Sequence, residues 1–283
     1  MNIYILTISL ASYSHTSIPG AILLHYQAIA LRQGLHILDT GRVDDVPTEA
    51  ELLDQKSTNL ATHMISKMHK LVRALHFRQL NSKLLLEEIN ISESIVEKKT
   101  VLRPMICIGI FFEGLSCFLC SRGSNDTEKT KLIERGRSIL TRARSLADHS
   151  SWNWQNKVLL LDAMEMHALG NLDEAGPRYI SSIRSAFEHK FIHEEAVASE
   201  LAGDCLFELG RQSEAYALYK HSIKCFEEWG ANAVAKRVET DMQSKFGTDV
   251  SHLEAVDVSD ILGTSLDSQS TQKRNQTAGV DRI

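Results

Sequence analysis

The apolar residues of this chain recur at helical spacing along most of its length. One stretch has an apolar side chain about once per helical turn, at Leu60, Met64, Met68, Leu71 and Leu75. Such spacing places the apolar side chains on one face of a helix. The same criterion predicts further helices over residues 18–35, 84–95, 102–119 and 132–149.

Two segments in the second half of the chain are nearly the same and begin forty residues apart. Residues 169–175 read LGNLDEA, and residues 209–215 read LGRQSEA. Each is followed by a tyrosine at the same distance, Tyr179 and Tyr219. Self-similarity at a fixed spacing indicates stacked structural repeats. We therefore predict two helix pairs and one final helix, at residues 154–169 with 172–188, 193–209 with 212–228, and 232–246.

Small residues and glycines also recur, at the positions where a helix pair needs a close crossing or a turn. Ala163 in the first repeat becomes Gly203 in the second, and small side chains allow two helices to cross closely. Gly170 and Gly210 are placed to end the first helix of each pair. This logic is similar to tetratricopeptide packing, with a longer repeat. Pro177 departs from it, because proline inside a helix should delay or kink that helix.

These elements predict an all-α fold, an α-α superhelix of tetratricopeptide-like helical hairpins. We expect the helical-repeat domain to span residues 18–247. Residues 1–17 are a separate N-terminal segment whose order the sequence does not predict. Residues 248–283 are rich in Ser, Thr, Asp and Gln, and we predict a largely disordered C-terminal tail.

Composition narrows the classes of function. The 283 residues carry a net charge of −5, whereas nucleic-acid-binding domains are usually basic. The apolar run at residues 3–10 is too short to span a bilayer. The five cysteines lie mostly in apolar helical patterns, as expected of thiols in a reducing compartment. We therefore expect a cytoplasmic protein that binds neither nucleic acid nor membrane.

Several motifs in the second half of the chain occur together in one group of large signalling proteins. They are HSSWNWQNK at residues 149–157, FIHEEA at 191–196, ELAG at 200–203 and WGA at 229–231. In this order they resemble the helical region of multidomain predicted ATPases of the AAA/STAND type. In that group a serine/threonine-kinase-like module often precedes the ATPase, and a GAF domain and a histidine kinase or cyclase often follow. The resemblance covers about residues 100–246.

The resemblance implies a regulatory helical module without the catalytic parts of that group. Residues 123–130 come near a phosphate-binding loop, but Glu128 stands where the second glycine is needed, and a carboxylate there repels phosphate. We therefore expect a non-catalytic protein-interaction or signal-relay module. The alternative is a fragment of an ATP-dependent signalling kinase whose ATPase and kinase domains lie outside this chain. A ligand-sensing regulator of transcription is a third, weaker hypothesis.

Two pairs of residues have spacings found in metal sites. Cys117 and Cys120 are flanked by apolar residues, and no second pair is placed to complete a zinc site. His189 and His193 straddle a predicted turn, so they need not share a helix face. The sequence analysis accordingly assigns no metal, no cofactor and no catalytic residue.

The candidate binding site is a row of acidic side chains on one predicted helix. Glu200, Asp204 and Glu208 are spaced one helical turn apart, and the first helices of tetratricopeptide-like pairs line a concave face. In the preceding repeat this face would carry Lys157, Met164 and His167. We therefore predict a groove that receives a protein partner through a basic or amphipathic peptide segment. The alternative interpretation is a solvated helix face without a ligand.

Overall fold

The computed structural model describes residues 30–34, 60–88, 103–247 and 249–263, and every regular element within them is helical. The predicted all-α class is therefore confirmed. In chain order the elements are α1 (Leu60–His76), a short π-helix (Leu84–Glu88), α2 (Arg103–Ser121), α3 (Asp126–His149), α4 (Ser151–Ala168), α5 (Leu172–Glu188), α6 (Ile192–Glu208), α7 (Gln212–Trp229), α8 (Asn232–Phe246) and α9 (Val258–Leu262).

The helices from α2 to α8 pack in the order of the sequence, each against the next. Helices two places apart also meet, since α4 contacts both α2 and α6. This is the packing of an all-α superhelix made of stacked hairpins. We call α4 with α5 the first layer and α6 with α7 the second layer.

The two layers repeat each other in detail. The turns after α4 and α6 contain Gly170 and Gly210 with φ of 83° and 76°, a left-handed conformation that glycine adopts without strain. Tyr179 and Tyr219 are both fully buried. In α5 the helix begins at Leu172, so Pro177 does not delay it as the sequence analysis allowed. Pro177 has no N–H to donate to the Asp173 carbonyl four residues earlier, but both residues are exposed, so water can bind that carbonyl instead.

A hydrogen bond between the two helices of each layer also repeats with the forty-residue spacing. The Ser182 hydroxyl donates to the Asn156 carbonyl at 2.8 Å, and the Ser222 hydroxyl donates to the Ala196 carbonyl at 2.8 Å. Both serines lie on the second helix of a layer and both acceptors on the first helix. The forty-residue repeat in the sequence is therefore a repeat of tertiary contacts.

The segment after α8 contains one docked helix. Residues 249–263 belong to the tail that is predicted to be largely disordered, and within them α9 packs against α5 and α7. Leu262 is buried, and Arg184 Nε donates to its carbonyl at 2.8 Å. A short apolar helix in a polar segment is enough to dock on the preceding layers. Residues 264–283 and the predicted N-terminal segment 1–17 lie outside the described residues.

Candidate functional site

The carboxylates of α6 predicted to line a groove lie in an unusually covered helix. Every residue from Glu194 to Leu206 is buried. Glu200 and Asp204 are only 5 % and 9 % exposed, although charged side chains are rarely buried unless they are paired. Something other than solvent therefore covers the face lined by α2, α4, α6 and α8, which we call the first-helix face.

The cover includes Arg78, which follows α1. Its Nη2 lies 2.6 Å from Glu200 Oε1 and 2.8 Å from Asp204 Oδ2. The Arg78 backbone has φ of 54°, a conformation that few non-glycine residues adopt. A single guanidinium thus bridges two carboxylates one helical turn apart, which is the kind of contact that the predicted groove offers a basic peptide.

The end of α1 is also held by aromatic contacts. The His76 ring lies 5.8 Å from Phe112, 5.9 Å from Phe226 and 6.3 Å from Trp229, measured between ring centroids. These rings come from α2 and α7. Burial lowers the pKa of His76 to about 4, so the imidazole is neutral in this site near neutral pH. The C-terminal end of α1 therefore packs against α2 and α7, next to the contacts of Arg78 with α6.

Helix α8 supplies two more cations to the same carboxylates. Arg237 Nη2 donates to Glu200 Oε2 at 2.9 Å. Lys245 Nζ forms an ion pair with Asp204 and lies 2.6 Å from the Tyr219 hydroxyl. We call Arg78, Glu200, Asp204, Arg237 and Lys245 the ion cluster.

The ion cluster shifts the acidity of its carboxylates strongly. Burial alone would raise the pKa of Glu200, but Arg237 and Arg78 outweigh it and lower the pKa to about 2. Burial likewise opposes ionisation of Asp204, and Arg78 and Lys245 hold its pKa well below the usual range. Both carboxylates are therefore ionised at neutral pH, and a cation is required beside them.

The remaining predicted groove residues are paired within the chain as well. Lys157 Nζ lies 2.7 Å from Glu194 Oε1. The Tyr179 hydroxyl donates to Met164 Sδ at 2.9 Å. His167 Nε2 lies 3.1 Å from Glu208 Oε2.

The structure therefore brings the six predicted residues into three local groups. Glu200 and Asp204 share Arg78, and Glu208 contacts both His167 and Arg122. Met164 joins His167 through the Tyr179 hydroxyl, whereas Lys157 pairs separately with Glu194. Arg78, Arg237 and Lys245 were not predicted as partners of these carboxylates, because no local spacing connects the turn after α1, or helix α8, with α6.

The weaker motifs are accounted for by ordinary packing. The near phosphate-binding loop is a helix start, where the Asn125 side chain accepts the Glu128 backbone N–H at 3.0 Å. Cys117 is a free, buried thiol, and burial raises its pKa to about 12. The His189 ring contacts Trp152, whereas His193 stacks on Trp229, so the two histidines have different neighbours.

Comparison with known proteins adds no family to this architecture. The sequence matches no protein-family model, and no curated protein and no solved structure matches it. Within the described ranges, none of the helices combines the length and apolar character needed to cross a bilayer. The class that the structure defines is an all-α helical-repeat protein.

Proposed function

We propose that this protein is a non-catalytic helical-repeat interaction module, and that its first-helix face binds an arginine-bearing helical segment of a partner protein. The observation that carries the proposal is the position of Arg78 between Glu200 and Asp204. A role in ATPase-linked signal relay, which the resemblance implies, and a cytoplasmic location, which the composition predicts, belong to the same proposal.

The C-terminal end of α1 together with Arg78, which we call the resident segment, would control such a site. The resident segment belongs to the same chain as the carboxylates that Arg78 contacts, so it competes with a partner at a high effective concentration. A partner helix would have to supply both the arginine and an apolar surface in place of His76. Charge would then select the partner and its register, while apolar contact would supply much of the affinity.

A peptide-exchange experiment tests the proposal with the full chain. The probe is a fluorescent peptide with the sequence of residues 60–80, and its anisotropy is followed as protein is added. We expect the Arg78→Ala chain to bind this peptide more tightly than the wild-type chain does, because its own segment is held less firmly. The same peptide carrying Arg78→Ala should bind about tenfold more weakly, as expected for the loss of a charged hydrogen bond.

A control chain removes both carboxylates together with Arg237 of α8, and it leaves the partly exposed Lys245 ammonium to solvent. Glu200→Leu, Asp204→Met and Arg237→Val introduce the residues found forty positions earlier, at Leu160, Met164 and Val197. This chain should fold and should not distinguish the two peptides. Equal binding of both peptides to the Arg78→Ala chain would contradict the proposal.

A further inference from the structure

A second cluster of functional side chains lies in the second layer, away from the ion cluster. Glu195 is on α6, and His221 and Cys225 are one turn apart on α7. One ligand atom from each of the three lies within 4.8 Å of the others, and within the described ranges this is the one group of its kind. His221 Nε2 lies 2.7 Å from Glu195 Oε1 and 3.6 Å from Cys225 Sγ.

The first layer shows that the repeat scaffold does not need these side chains. The residues at the equivalent positions, forty residues earlier, are Gln155, Ser181 and Ser185. They stand in the same two helices of a layer with the same internal hydrogen bonds. A carboxylate, an imidazole and a thiol thus converge only in the second layer of this pair, and helix packing does not account for the choice.

The distances suit a tetrahedral metal ion. At usual Zn²⁺ bond lengths, a sulfur and a nitrogen ligand are separated by about 3.6 Å, and a nitrogen and an oxygen by about 3.4 Å. The Cys225–His221 separation already agrees with the first value. The shorter Glu195–His221 separation is that of a hydrogen bond, and a small rotation of the carboxylate would open it.

We propose that Glu195, His221 and Cys225 bind a thiophilic divalent cation, Zn²⁺ being the one that this ligand set favours. His221 also lines a cleft of about 580 Å³ that is bordered by α7 and α9, so the fourth ligand position faces the cleft. Glu195 and Cys225 are buried, and they anchor the ion on the inner side. Binding releases the thiol proton and joins α6 to α7. The inference does not depend on the proposed function of the first-helix face.

Cobalt titration tests the site, because Co²⁺ takes the place of Zn²⁺ and reports its ligands spectroscopically. The metal-free, reduced full chain is titrated with Co²⁺ while the near-ultraviolet and visible absorption is recorded. We expect one equivalent to produce a thiolate-to-cobalt charge-transfer band together with the visible bands of a tetrahedral ion. Added Zn²⁺ should remove both.

The variants copy the first layer, so each is expected to fold. Cys225→Ser should abolish the charge-transfer band, and His221→Ser should abolish stoichiometric binding. Glu195→Gln should weaken binding while the band remains. Cys120→Ser is the matched control, since Cys120 is another free thiol and lies on α2.

Each outcome of the titration either supports the proposed metal site or rejects it. Loss of the band in Cys225→Ser with an unchanged band in Cys120→Ser supports the site. Absence of a band in the wild-type chain overturns it. A band that survives both Cys225→Ser and His221→Ser would place the cobalt elsewhere and would overturn it equally.

Discussion

The first and second layers share one backbone plan but hold different chemistry. Position 160 is Leu and position 164 is Met, whereas the equivalent residues of the second layer are Glu200 and Asp204. The hydroxyl of Tyr179 meets a thioether, and the hydroxyl of Tyr219 meets a carboxylate. Leu160 and Met164 show that apolar side chains at these two positions are sufficient for the fold. The carboxylates of Glu200 and Asp204 therefore need another explanation, and their contact with Arg78 provides one.

The largest effect is expected when the ion cluster is broken on one side. Glu200→Ala leaves Arg237 and Arg78 partly buried without this carboxylate. Removal of one partner from a buried ion pair typically costs about 3–5 kcal/mol. Urea unfolding followed by circular dichroism measures the change in the free energy of unfolding.

A double substitution replaces the Glu200–Arg237 ion pair by apolar residues and so tests whether the layers are interchangeable. Glu200→Leu with Arg237→Val installs the residues found forty positions earlier, Leu160 of the first layer and Val197 of the second, and leaves Asp204 to hold Arg78. Apolar replacement of a whole buried pair is often neutral or stabilising, so we expect stability within about 1 kcal/mol of wild type. A loss as large as that of Glu200→Ala would mean that the two layers are not interchangeable scaffolds.

Acid should lower the free energy of unfolding through His76, at the end of α1. The folded chain keeps His76 neutral because burial lowers its pKa to about 4, whereas the unfolded chain protonates near the ordinary value of about 6.5. The stability that neutral His76 supplies is therefore present above pH 6.5 and is lost as the pH falls towards 4. We expect this residue to account for about 2 kcal/mol of lost stability between pH 7 and pH 5.

The control for this pH dependence is His76→Phe, which keeps an aromatic ring among Phe112, Phe226 and Trp229. Its free energy of unfolding should fall less steeply with acid than that of the wild type. Some dependence should remain, since burial and Arg73 lower the pKa of His69 to about 3. Parallel curves for the two proteins would rule out His76 as a source.

Removal of the tyrosine hydroxyls should lower the free energy of unfolding by different amounts in the two layers. The Tyr219 hydroxyl bonds to a charged carboxylate and a charged ammonium, and Tyr219→Phe should cost about 2 kcal/mol. The Tyr179 hydroxyl donates to an uncharged acceptor, the Met164 thioether, so Tyr179→Phe should cost about 1 kcal/mol. Thermal or urea unfolding of both variants gives the difference, and a larger loss at Tyr179 would go against the assignment.

The smallest effect concerns the contacts that the layers share. Ser182→Ala and Ser222→Ala each remove a buried hydroxyl that donates to a carbonyl at 2.8 Å. Each should cost about 1 kcal/mol, and the two losses should agree within about 0.5 kcal/mol. Unequal losses in urea unfolding would indicate that these serines are not structurally equivalent.

The sequence predicts the repeats well because their signals are local. The predicted helices at residues 172–188 and 212–228 agree with Leu172–Glu188 and Gln212–Trp229, since turn glycines and apolar periodicity act within a few residues. The α6 carboxylates were also found from their spacing alone. Their partner was not, because 122 residues separate Arg78 from Glu200.

The docked helix α9 was not predicted for a related reason. The sequence analysis assigned disorder to residues 248–283 from the polar composition of the whole segment. Leu262 is nevertheless buried, and Val258 and Ile261 pack against the same core. Three apolar side chains in one short helix carry little weight in a compositional argument over the whole tail. The cluster of Glu195, His221 and Cys225 likewise depends on the packing of α6 against α7, which spacing along one helix does not reveal.

A double-mutant cycle on Arg78 and Asp204 tests the central contact most directly. The free energies of unfolding of wild type, Arg78→Ala, Asp204→Ala and the double variant are measured under one condition. If Arg78 lies against Asp204 on the first-helix face, the coupling energy should be about 1–3 kcal/mol. Additive losses, with coupling below about 0.5 kcal/mol, would contradict the contact and with it the proposal that the resident segment covers a binding site.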